Sequence, residues 1–174
     1  HLVFIGDPHH REVAGYTRDL DPRRFHILMT VEEARAIDWS RYSKVKIFYQ
    51  TTLNADDFED LARYIEQQVP ATRADTICYA TKENQEAAHE LGRDPEIGLI
   101  LVIGGTRSAN TRHLWEICAR SKPSHLIQGA EDIDPAWFEG VRVVGITAGA
   151  STPDYVVDEV EAAIVRLASP GGPA

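Results

Sequence analysis

The chain has 174 residues, 43% of them hydrophobic and 26% charged, and carries a net charge of −9 at neutral pH. That length suffices for one domain, or two small ones sharing a core, and the composition is that of an ordinary globular protein. The acidic balance argues against nucleic acid as a general partner, because phosphate backbones are bound through clustered Lys and Arg. A small anion held by backbone amides and hydroxyls remains open.

In chain order, Leu2–Ile5 reads as a buried strand running into the polar loop Asp7-Pro8-His9-His10-Arg11-Glu12. An opening inside a core strand suggests further sequence upstream, and the stretch does not have the form of a signal peptide. No apolar run approaches the roughly 20 residues of a membrane span, so a cytoplasmic protein without membrane contact is expected. Phe25–Met29 and Val45–Tyr49 predict two more strands. Between them, Thr30-Val-Glu-Glu33 has the form of a capping box ahead of a short helix. Asn54 caps a helix through Gln68, with Asp56, Asp57 and Glu59 at its positive end and Pro70 beyond its close. After Ala71–Asp75 come Thr76–Thr81, a helix, and strands at Leu99–Ile103, His125–Ile127 and Val141–Ile146. Thr152-Pro153-Asp154 starts the last helix, with proline where no amide hydrogen is needed. Apolar runs alternating with helical patterns predict an α/β fold with mostly parallel sheets. We expect two similar three-layer lobes, 1–74 and 75–168, and a disordered tail, 169–174.

The strongest chemical signal is a matched pair of strand-to-helix turns, Gly104-Gly-Thr-Arg-Ser108-Ala109-Asn110 and Thr147-Ala-Gly-Ala-Ser151-Thr-Pro. Each puts small residues and hydroxyls where the next helix offers unpaired amides, so the two could clasp a diphosphate. Plain helix caps are the competing reading. The His9-His10-x-Glu12 loop could bind metal or move protons, although a polar loop capped by Asp7 explains it as simply. Cys78 stands just before a helix whose positive end favours a thiolate. Cys118 sits on the apolar face of an amphipathic helix and reads as core. Gln50-Thr51-Thr52 puts hydroxyls at the end of the third strand. His26, His89, His113 and His125 suit surface or capping roles, and Trp39, Trp115 and Trp137 suit core or staple positions.

The order of the blocks is more telling than any one of them. His10-x-Glu12-Val13, Gln50-Thr51-Thr52-Leu53, Thr76-Ile-Cys78-Tyr-Ala-Thr81, Gly104-Gly-x-x-Ser108-x-Asn110 and Thr147-Ala-Gly-Ala-Ser151-Thr-Pro-Asp154 follow one another along nearly the whole chain. This series closely resembles the LytB/IspH family of 4-hydroxy-3-methylbut-2-enyl diphosphate reductases. The resemblance implies two of three α/β lobes around a [4Fe–4S] cluster, and a reductive dehydroxylation yielding isopentenyl and dimethylallyl diphosphates. It implies Cys78 as one cluster ligand, Glu12 as proton source with Thr51 and His10 arranging the proton network, and Ser108, Ala109, Asn110 and Ser151 around the diphosphate. An electron donor such as ferredoxin or flavodoxin and a bacterial cytoplasmic setting are implied as well. The chain departs from the family pattern at Ala109, where a serine is usual, at Asp7 and Arg11, and at Glu83-Asn84.

No counterpart of the family's N-terminal lobe, with its two further cysteines, is present in these residues. One thiolate cannot hold a cubane cluster, so the chain alone is expected to be inactive. Lobes that normally close over a cluster should expose apolar surface, predicting homodimerisation or reduced stability. The competing reading is a non-catalytic module, degenerate from the family, that binds diphosphates or a partner. A nucleotide-binding module is a weaker third reading, since neither G-x-G-x-x-G nor G-x-x-x-x-G-K-[ST] occurs.

Overall fold

A computed structural model of the chain describes residues 1–168, and the tail expected at 169–174 lies outside the described residues. The chain divides into two compact units, one from His1 to Cys78 and one beginning at Tyr79. The boundary thus falls four residues beyond the expected 74/75. The difference arises because Thr76 still bonds to the first unit's third strand and Cys78 to the turn that follows it.

The first unit runs β1 (Leu2–Ile5), α1 (Arg11–Thr17), β2 (Phe25–Leu28), α2 (Val31–Arg35), β3 (Val45–Tyr49), α3 (Glu59–Gln68) and β4 (Ala71–Arg73). Its four strands are all parallel, in the order β2-β1-β3-β4. One sheet face, with Val3, Ile5, Val45 and Ile47, packs on Ala34 of α2 and on Leu61, Ala62 and Ile65 of α3. On the other face Phe4 stacks on Phe48 at 5.4 Å and lies 6.3 Å from Tyr16 of α1. The Thr30 capping box forms in both directions: Thr30 Oγ1 accepts from the Glu33 amide, and Glu33 Oε2 accepts from the Thr30 amide.

β4 has no sequence signal, being three residues with no apolar run. Pairing with β3 makes it a strand, and Arg73 then reaches back to α3. Its guanidinium grips Glu66 with two hydrogen bonds of 2.7 Å and also binds Glu59. These bonds hold both carboxyls below their usual range. A lowered folded-state pKa contributes stability that is present above the unfolded value, about 4.3, and is lost as pH falls through the folded value. Urea midpoints are therefore expected to drop below that pH, and Arg73→Met should flatten the drop. An unchanged acid profile in the variant would contradict this.

The second unit runs α4 (Tyr79–Arg93), β5 (Leu99–Ile103), α5 (Ala109–Ala119), β6 (Ser124–Ile127), β7 (Val144–Ala148) and α6 (Asp154–Ala168). Its strands are parallel in the order β6-β5-β7. β5 is wholly buried and supplies both faces. Ile100 and Val102 pack with Ala88 of α4 and with Leu114, Ile117 and Cys118 of α5, while Leu99, Leu101 and Ile103 pack with Val160 of α6. Continuous apolar runs thus mark a strand covered on both faces. The strand expected at Val141–Ile146 begins instead at Val144. The Val141 amide closes a turn onto the Phe138 carbonyl, so Val141 joins the core by its side chain without pairing.

Several other aromatic residues also find partners. Trp39 is buried and its indole N–H donates to the Ala34 carbonyl at 2.9 Å. His26 is not at the surface. It is half-buried, 2.9 Å from the Tyr42 hydroxyl, and burial lowers its pKa. Trp137 stacks on His125 at 3.7 Å, a ring pair that spacing in the sequence does not disclose.

Candidate functional site

In each unit the parallel strands bring their carboxyl ends to one edge of the sheet, where the residues of interest collect. In the first unit, Glu12 lies on α1 after β1, and Thr51 follows β3. One oxygen of Glu12, Oε1, accepts from the Thr51 backbone amide at 2.7 Å and from the Tyr16 hydroxyl at 2.6 Å. The tyrosine's pKa is pushed up to about 12, by burial first and then by this carboxylate. Both donors use the same oxygen, which leaves Oε2 as the one able to carry a proton to a ligand. His10 caps α1: its Nδ1 accepts from the Glu12 amide at 3.3 Å. It therefore orients the backbone of Glu12 and does not touch the carboxylate through that nitrogen. Thr51 likewise meets the carboxylate through its amide.

Cys78 joins this group through its backbone. Its amide donates to the Thr51 carbonyl at 3.1 Å. Two residues earlier the Thr76 hydroxyl bonds both the amide and the carbonyl of Tyr49, each at 2.8 Å. The Thr-x-Cys pattern thus pins the cysteine to the end of β3, with its thiol exposed and α4 starting at the next residue. Buried Gln50 ties the neighbouring loops together, accepting from the Asp7 amide and donating to the Thr52 hydroxyl. Asp7 also caps its own loop by accepting from the His9 amide.

In the second unit, Gly104 follows β5 and Gly149 follows β7, and the Gly149 amide donates to the Ile103 carbonyl at 2.9 Å. Gly104 has φ +149°, and a Cβ there would stand 2.7 Å from Thr111 Oγ1 and 2.9 Å from Thr152 Oγ1. A Cβ on Gly149 would also strike Thr111 Oγ1. The two turns therefore converge on one pair of hydroxyls. Ser108 is the N-cap of α5, its Oγ accepting from the Thr111 amide at 3.3 Å. The amides of Ala109 and Asn110, in the first turn of α5, have no intrahelical acceptor. Ser151 is exposed on the second turn, which closes through the Thr152 amide and the Gly149 carbonyl. Asn110 is the anomaly. Its side chain is 8% exposed, and neither its Nδ2 nor its Oδ1 has a hydrogen-bond partner.

Such a carboxamide costs about 1–3 kcal/mol unless something satisfies it. Beside paired glycine turns and a helix N-terminus, a ligand oxygen is the natural partner. Sequence reasoning missed Tyr16, whose signal was the four-residue spacing from Glu12 on one helix face. It also passed over Thr111 and Thr152, which look like ordinary helix-start residues until the turns are seen to meet.

The chain matches the LytB protein family over residues 1–165. The chain belongs to the LytB family. Curated relatives of this LytB chain include the 4-hydroxy-3-methylbut-2-enyl diphosphate reductases of Pelobacter propionicus, 41% identical over 161 residues, and of Nitratiruptor sp., 38% identical over 162. Each alignment covers 91% of the LytB chain and 56% of the relative. The chain thus spans about half the length of the relatives it matches. Among solved structures, the E-1-hydroxy-2-methyl-but-2-enyl-4-diphosphate reductase from Plasmodium falciparum superposes with a TM-score of 0.83 at 25% identity. That match covers 98% of the LytB chain and 53% of the other. A structure of (E)-4-hydroxy-3-methyl-but-2-enyl diphosphate reductase gives 0.55 at 34% identity, over 94% and 58% of the two chains.

Among the described residues no group of three or more His, Cys, Asp or Glu is placed to hold a metal ion. Among the described residues no helix is long and apolar enough to cross a membrane. The two thiols of the LytB chain differ sharply. Cys118 is fully buried and its pKa is pushed up to about 11 by that burial, whereas Cys78 is exposed. Iodoacetamide is expected to alkylate Cys78 in the native chain and Cys118 only after unfolding. Equal labelling rates in peptide mass analysis would contradict the placement of Cys118.

Proposed function

We propose that this chain is part of a 4-hydroxy-3-methylbut-2-enyl diphosphate reductase of the methylerythritol phosphate pathway, carrying its acid group in one lobe and its diphosphate grip in the other. The supporting observation is the grouping of Glu12, Thr51 and Cys78 at one sheet edge, with the carboxylate held by one oxygen and the thiol exposed. The reaction replaces the C–OH bond of an allylic alcohol by C–H, taking two electrons and two protons and releasing water. Glu12 is suited to deliver the proton to the departing hydroxyl from Oε2, while Tyr16 and Thr51 keep Oε1 in place. Ser108, Asn110, Ser151 and the amide of Ala109 would take the diphosphate oxygens.

Cys78 fits as one ligand of a [4Fe–4S] cluster, because its sulfur is exposed and its backbone is anchored. Cys118 does not fit, being sealed in the core. This chain cannot hold a cubane by itself, so the other thiolates come from LytB polypeptide outside this sequence. When bound, such a cluster supplies the electrons and a site for the substrate oxygen. A ferredoxin- or flavodoxin-like donor in a bacterial cytoplasm would complete the system.

The test is anaerobic reconstitution with iron and sulfide, read by visible absorbance and an iron count. This chain alone should form no stable cluster. Co-expression with the part of the Nitratiruptor relative outside the matched stretch should produce one, and Cys78→Ala should abolish it. Failure with the partner present would favour the other reading, a non-catalytic diphosphate-binding module, for which the unpaired Asn110 side chain is the supporting observation.

A further inference from the structure

β6 is an edge strand of the second sheet, paired with β5 on one side only. The Ile100 and Gly104 amides donate to the Pro123 and Ile127 carbonyls at 3.0 and 2.9 Å. The odd-numbered positions of β6 therefore turn their backbone groups toward β5, and Ser124 and Leu126 turn theirs outward. At one end of that outer edge the Trp115 indole N–H donates to the Ser124 carbonyl at 3.0 Å. At the other the Gln128 amide donates to Asp132 Oδ2 at 2.7 Å. Between them the amide and carbonyl of Leu126 have no partner among the described residues.

A cavity of about 400 Å3 opens on this edge, bordered by Leu126, Arg112, Trp115, His125 and Trp137. Its size is that of a small-molecule site, roughly 300–1,000 Å3. Aromatic surface borders it from both faces of the sheet. His125 shares a face with Ile127, on the side packed by α6, and its ring lies flat on Trp137 with centroids 3.7 Å and planes 4° apart. Trp115, 37% exposed, belongs to α5, which covers the opposite face. Arg112 stands one turn earlier on α5, exposed and without an ion pair among the described residues. No carboxylate lines the cavity.

A further strand is a poor occupant, since it needs outward groups at successive alternate positions and the Ser124 carbonyl and Gln128 amide are already taken. A flat ring needs only one adjacent acceptor and donor. We propose that this edge binds a purine mononucleotide, its base pairing with the Leu126 amide and carbonyl beside the aromatic side chains, and its phosphate on Arg112. Adenine and guanine both carry an adjacent acceptor and donor on the edge used in base pairing, and their faces stack on aromatic rings. No glycine-rich phosphate loop is required, because a guanidinium binds phosphate directly. The site lies wholly in the second unit, and the inference does not rest on the reductase reading.

Calorimetry and amide-resolved NMR of this chain, titrated with AMP and with GMP, test it. At least one should bind with Kd below about 1 mM and move the Leu126 amide proton downfield, while the Ile127 amide, paired inside the sheet, moves little. Purine riboside monophosphate, which lacks the exocyclic donor, should bind about 10-fold more weakly than the tighter of the two. Arg112→Met should weaken the same nucleotide by about 10-fold and leave the melting temperature unchanged, since the side chain is exposed. Absence of saturable binding, a Leu126 amide that stays in place, or equal binding of the analogue would each overturn the proposal. So would shifts confined to Gly104 and Gly149 and abolished by inorganic pyrophosphate, which would put the phosphate on the glycine turns instead. Cluster formation is a separate readout, so a failed reconstitution beside clear nucleotide binding would sink the reductase reading and leave this one standing.

Discussion

If the proposed reductase assignment holds, Glu12→Gln lowers the turnover of the completed enzyme by about 100- to 10,000-fold, the usual contribution of a positioned general acid. The substitution is chosen because it removes the proton and little else. A glutamine carbonyl oxygen can still accept from the Thr51 amide and the Tyr16 hydroxyl, which now meet at Oε1. Urea unfolding of the variant should match the parent, and its binding of inorganic pyrophosphate should be unchanged. Turnover within a few-fold of the parent would show that the proton comes from elsewhere. A large loss accompanied by destabilisation would instead mean that the carboxylate mainly holds the loop after β3.

Asn110→Leu is expected to move stability and binding in opposite directions. Leucine is of similar size, so the core around the start of α5 should tolerate it. It removes two buried polar atoms that have no partner, so the ligand-free chain should gain about 1–3 kcal/mol in stability. If those atoms serve the diphosphate, losing a hydrogen bond to a charged group should weaken pyrophosphate binding by about 10- to 100-fold. Thermal melts and calorimetric titrations on the same preparation give both numbers. A variant that is stabilised but binds as well as the parent would make Asn110 a packing defect and not part of a site. A destabilised variant would mean that the carboxamide is satisfied in solution without ligand.

The opposing signs matter for reading the family pattern. The second unit carries an internal cost at Asn110, which packing alone does not explain, and tight glycine turns that admit no larger residue. Ala109 fits the same picture. A serine there would add a hydroxyl, but the first-turn amide is present with any residue other than proline, so alanine reduces the donors without removing the proposed grip.

Much of this protein was decided locally. Apolar runs placed five of the seven strands to within a residue or so, because a strand buried on both faces needs little beyond continuous apolar side chains. Thr30 and Glu33 specified their capping box, and the Leu114–Cys118 face specified the burial of Cys118, since both depend on residues within a turn or two of each other. The tertiary structure decided the rest. β4 exists because β3 offers an edge, and β7 starts three residues late because the Val141 amide is spent on a turn. Thr51 holds Glu12 by its amide across 39 residues of sequence, a partnership no spacing rule encodes. The unmet carboxamide of Asn110 is visible only once its neighbours are in place. Local physics names the residues that can do chemistry, and long-range packing chooses which of their atoms face one another.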